Sequence, residues 1–88
     1  MQVLRCGNQP VRAFAQTANV SSNGVLFHSD ITPEVGEPLE YLLTLIPDAG
    51  SIAARKQVQL HCMGKVVRHD DGTRTAAATL ERYEFLRD

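Results

Sequence analysis

Asn19 and Ser21 are the residues whose types and spacing best suit molecular recognition. They lie two apart at the end of an extended stretch, so a carboxamide and a hydroxyl point to the same face. Gly24 then lets the backbone turn tightly or take a positive φ before the apolar run Val25-Leu26-Phe27 opens the next strand. The segment Asn19-Val20-Ser21-Ser22-Asn23-Gly24 can thus present donors and acceptors to a ligand edge. The same residue types are also ordinary turn formers, and a polar hairpin connection is the competing reading. Bond-making chemistry has no comparable signal. Ser21 and Ser22 lack a GxSxG elbow, no catalytic residue is assigned, and the chain reads as non-enzymatic. His28, His61 and His69, taken with Cys62 or Asp70, match no metal-ligand spacing. Alternation along a strand also puts His61 and Cys62 on opposite faces, so neither a metal site nor a cofactor is expected.

The elements that must position these residues read almost entirely as strands. Gln2 to Cys6 and the stretch from Val11 to Ser21 form a first hairpin, punctuated by Gly7-Asn8 and Pro10. Val11, Ala13, Ala15 and Thr17 share one face of the longer piece, and Phe14 is the packing anchor on the other. Val25 to Ser29 is a short strand, followed by a loop through Asp30, Pro33, Gly36 and Pro38. Leu39 to Ile46 is apolar on both faces, as a central strand requires. Pro47 to Arg55 reads as a surface loop. Gln57 to His69 is a long strand that Gly64 interrupts, as at a bulge or a close backbone approach. Asp70-Asp71-Gly72 turns it into Arg74 to Leu80, where the turn and the flanking threonines outweigh the helix propensity of three alanines. Tyr83, Phe85 and Leu86 then tie down the end of the chain as core residues.

Eighty-eight residues make one domain, 1–88, without room for a second core. Nine basic and ten acidic side chains give a net charge of −1, which supplies no broad footprint for nucleic acid or an anionic membrane. Lys65, Arg68, His69 and Arg74 flank the last hairpin, but Asp70 and Asp71 offset them. The longest apolar run, Leu42 to Pro47, is far short of the ~20 residues of a membrane helix, and Met1 to Arg5 lacks a signal peptide's anatomy. A cytoplasmic, non-membrane protein is expected. Cys6 and Cys62 have no CxxC spacing and read as small buried hydrophobes. Many short strands with almost no helix imply an all-β fold, a small antiparallel β-barrel of about six strands.

In this order the elements resemble the PilZ domain, the small β-barrel of bacterial cyclic di-GMP signalling. Asn19-Val20-Ser21-Ser22-Asn23-Gly24 fits the family's (D/N)xSxxG motif. Val35-Gly36-Glu37-Pro38-Leu39-Glu40-Tyr41 is similar to its "vG..l.l" segment, and Gly64-Lys65-Val66-Val67-Arg68 to its "g.VvR" strand. The resemblance implies that Asn19, Ser21 and Gly24 form half of a cyclic di-GMP site. The family's other half is an RxxxR motif on an N-terminal arm, whose guanidinium groups hold phosphates and guanine faces. Here Arg5 and Arg12 are the arginines ahead of Asn19, seven residues apart, and no two arginines in the chain are separated by four.

The first reading is therefore a PilZ-type regulatory or interaction module that binds cyclic di-GMP weakly or not at all and acts through a protein partner. The second is a true receptor in which Arg5, Arg12, Arg68 or a partner's arginine substitutes, or whose arm lies upstream. A small nucleic-acid-binding barrel is the third, and the charge balance speaks against it. Apolar faces on Leu39 to Ile46 and the aromatic C-terminal segment also point to a homodimer.

Overall fold

The computed structural model describes residues 1–45 and 58–86. Every regular element among them is a strand: β1 (Gln2–Cys6), β2 (Gln9–Phe14), β3 (Gln16–Val20), β4 (Gly24–His28), β5 (Pro38–Leu45), β6 (Val58–Asp70), β7 (Thr75–Thr79) and β8 (Arg82–Leu86). All pairings are antiparallel, in the order β2-β1-β5-β6-β7-β4-β3, with β8 also on β6. The loop expected over Pro47 to Arg55 lies outside the described residues.

The long strand β6 belongs to two sheets. Its first part pairs with β5 from Val58 to Lys65 and with β8 from Gln59 to Met63, whereas Val66 to Asp70 pair with β7. It changes sheets between Lys65 and Val66, just past Gly64. A Cβ on Gly64 would fall on the Thr79 carbonyl, so only glycine lets β6 and the end of β7 come this close. Between the sheets sits a core whose largest fully buried side chains include Tyr41, Phe27, Leu39, Leu43 and Val3. Tyr41 is wholly buried and donates its hydroxyl to the Thr79 carbonyl at 3.0 Å. Burial raises the Tyr41 pKa far above its ordinary value and pushes the Cys62 thiol up to about 11.

The path of paired strands is open, yet its end strands β2 and β3 are separated in sequence by Ala15 alone. One bent run thus serves both sheets, and β7 and β8 likewise form one run broken at Leu80-Glu81 on the same side of β6. That is why eight strands stand where the sequence suggests about six, in an arrangement consistent with a PilZ-like barrel.

Four local expectations are corrected. The stretch from Val11 to Ser21 is two strands in two sheets, because the chain turns the corner at Ala15. Phe14 is no packing anchor, being 82% exposed on the outer face, where Gln2 and Leu42 share its row. Tyr83, Phe85 and Leu86 are exposed as well, since β8 is an edge strand. Gly24 is the first residue of β4 and is not among the positive-φ residues, which are Gly7, Gly36 and Arg74. The requirement for glycine there is steric: a Cβ would stand 2.5 Å from the Ala78 carbonyl oxygen.

Candidate ligand-binding site

Position along β3 and β6 is set by two bulges. The β3–β4 register shifts between Thr17 and Asn19, so Ala18 is the extra residue, and the β6–β7 register shifts between Val66 and Arg68, so Val67 is. Without the first shift Asn19 would stand opposite Val25 and face the core. With both, Asn19, Leu26, Ala77 and Arg68 are successive cross-strand partners on β3, β4, β7 and β6. The adjacent row of Val25, Ala78 and Val66 is buried, which fixes the Asn19 row as the outer one. Three strand intervals place Asn19 and Arg68 about 14 Å apart.

Beside Asn19 lies a shallow groove of about 280 Å³, lined by Asn19, Ser21 and Asn23 together with the apolar Leu26, Ala77 and Val67, the last being the neighbour of Arg68. Its size is near the lower limit of the ~300–1,000 Å³ usual for small-molecule sites, so it offers a platform for one flat ring rather than an enclosure. Val67 is 53% exposed, an apolar side chain that its bulge turns outward. Among the described residues Asn19 makes no side-chain hydrogen bond and Arg68 no ion pair. Ser21 is differently placed. Its backbone N–H donates to the Gly24 carbonyl at 2.9 Å, and its hydroxyl accepts from the Asn23 N–H at 3.3 Å and donates to the Gly24 carbonyl at 3.4 Å. The Asn23 carbonyl in turn accepts from the Leu80 N–H at 3.0 Å, which moors the turn to the end of β7. Ser21 thus shapes the turn as well as lining the groove.

Arg5, Arg12, Arg74 and His69 lie elsewhere. Arg5 is on β1 in the other sheet, 3.7 Å from Glu40, and Arg12 is an exposed residue of β2. Arg74 pairs with Asp30 at 3.1 Å, and the His69 ring is 3.4 Å from Asp71, so the basic cluster around the last hairpin is divided among acids. A second polar line was not visible in the sequence because its members are remote from one another. On the outer face of the β5–β6–β8 sheet, His61 contacts Glu40 at 2.5 Å and Glu84 at 3.5 Å, joining three strands. The signal that could have found it is the β5–β6–β8 register, which no single segment carries. Among the described residues no cluster of three or more His, Cys, Asp or Glu has metal-binding geometry, and no helix is long and apolar enough to cross a membrane.

A family model, that of the PilZ domain, matches residues 2–87. No curated protein and no solved structure matches the chain.

Proposed function

The chain belongs to the PilZ domain family, whose members are binding and regulatory modules of the cyclic di-GMP type, and we propose that this one presents the outer face of β3, β4, β7 and β6 as its ligand surface but binds the dinucleotide weakly or not at all. The observation that carries this reading is the single guanidinium of the in-register row. Asn19 can address a guanine edge and the Leu26–Ala77–Val67 floor can take a ring face, while among the described residues Arg68 is the one guanidinium of that row to meet the charge of two phosphates. If each arginine of the missing pair is worth about 1.5–3 kcal/mol as a charge-assisted partner, their loss removes roughly 3–6 kcal/mol. That is on the order of a hundredfold to ten-thousandfold in affinity. With the ligand weak, the module's output passes through a protein partner.

Isothermal titration of cyclic di-GMP tests the reading. The chain itself should give no isotherm at micromolar concentrations. The Met1 carbonyl accepts from the Ala15 N–H at 2.9 Å, so an RxxxR segment grafted ahead of Gln2 starts at the corner that leads into β3, the strand that carries Asn19. The graft should create or greatly strengthen binding, and Asn19→Ala should then weaken it. Micromolar or tighter binding by the unmodified chain, abolished by Arg68→Ala, would favour the second reading, in which Arg68 substitutes for the missing pair. Failure of both chains to bind would leave the Asn19–Gly24 segment a structural turn only.

A further inference from the structure

We propose that two copies of this chain associate through β8, paired antiparallel about a two-fold axis at Tyr83. Among the described residues β8 is hydrogen-bonded to β6 along one edge and to no strand along the other, which leaves a row of backbone donors and acceptors facing outward. Proline, lysine and a register bulge, three of the usual protections of an edge, are absent from β8, and its two charges, Arg82 and Glu84, are of opposite sign. Tyr83 and Phe85 are cross-strand partners of the buried Cys62 and Leu60, so they continue the inner face of the sheet, yet they are 57% and 63% exposed. Their rings meet edge to face at 6.1 Å, a preformed apolar ledge beside an open edge.

What commits the occupant to a second copy is the charge pattern of the strand itself. Antiparallel self-pairing must keep inward residues opposite inward residues, which restricts the axis to a residue position. An axis at Glu84 would oppose that carboxylate to its own copy, a destabilising arrangement. An axis at Tyr83 sets Arg82 of each chain opposite Glu84 of the other, twice, and brings the two Tyr83 rings together. Arg82 and Glu84 flank Tyr83 symmetrically with opposite charge, so the strand is its own complement. The joined sheets form one continuous ten-stranded surface, β2-β1-β5-β6-β8 followed by its copy.

With the axis at Tyr83, only Arg82, Tyr83 and Glu84 of each β8 oppose β8 of the other copy, and a three-residue ladder flanked by Phe85 falls below the ~1,200 Å² of a standard interface, so this is a weak, concentration-dependent dimer. Sedimentation equilibrium over a dilution series reaching about 1 mM reads it out. The wild type should shift from monomer to dimer within that range. Arg82→Glu and Glu84→Arg should each weaken association about tenfold or more, because each replaces two attractive pairs by two repulsive ones. The double variant Arg82→Glu/Glu84→Arg should restore it, and an equimolar mixture of the two single variants should form a heterodimer. Tyr83→Cys should oxidise to a cross-linked dimer and Phe85→Cys should not, since only the residue on the axis meets itself at disulfide distance. A wild type that stays monomeric at the highest concentration, or a dimer indifferent to both single charge reversals, overturns the proposal. So does a double variant that fails to recover.

Discussion

Gly64→Ala would drive a methyl group into the Thr79 carbonyl, and backbone cannot step aside as a flexible side chain can. We expect a loss at or above the top of the ~1–3 kcal/mol range for overpacking, read as a lowered urea midpoint. Gly24→Ala should cost about 1–3 kcal/mol for the same reason, its Cβ lying 2.5 Å from the Ala78 oxygen. Gly72→Ala is the control: its Cβ meets only the Asp70 side chain, at 3.3 Å, and the midpoint should move by less than about 0.5 kcal/mol. Equal effects at all three positions would mean that close approach is not what selects glycine. The sequence marks each of these residues as glycine without saying why. A turn glycine and a close-approach glycine look alike until the facing strand is known, which is why Gly24 invites a φ argument that the structure does not support.

Among the elements, the ladder between β7 and β6 is extended past Ala78 by one side chain. The Thr79 hydroxyl accepts from the Lys65 N–H at 2.9 Å and donates to Glu81 at 2.7 Å, at the point where β6 leaves one sheet for the other. Thr79→Val keeps the shape and removes both bonds, for a loss of about 1–2 kcal/mol, while Thr79→Ser should stay within about 0.5 kcal/mol of wild type in thermal unfolding. The strands themselves were largely legible. Alternation located β5 and β6, Asp71-Gly72 the last turn, and Gly64 the irregularity in β6. The corner at Ala15 was not, because Phe14-Ala15-Gln16 contains no glycine or proline to mark it. Nor were the bulges at Ala18 and Val67, which no residue type announces and which decide whether Asn19 and Arg68 face outward. Burial of Tyr83 and Phe85 was expected from their type, but burial depends on whether the opposite sheet reaches across, and at β8 it does not.

The stability of the whole molecule should fall in alkali. Cys62 and Tyr41 both have raised pKa values, chiefly because burial disfavours their ionised forms. Above the ordinary thiol value of 9.0 the unfolded chain releases the Cys62 proton while the folded chain retains it up to about 11. The folded state then binds more protons, so unfolding free energy declines as pH rises through that window and is unaffected by Cys62 below it. Urea midpoints from pH 7 to pH 11 should show this decline, and Cys62→Ala should flatten its lower part. A wild-type curve level to pH 11 would contradict the burial of these groups.

The corner at Ala15 has a mechanical side. Since β2 and β3 end the ladder at opposite extremes and only Ala15 lies between them, the molecule is a bracelet whose clasp is covalent. A protease cut at that clasp would break no rung of any ladder, and yet it would turn the bracelet into a ribbon, free to uncurl from both ends.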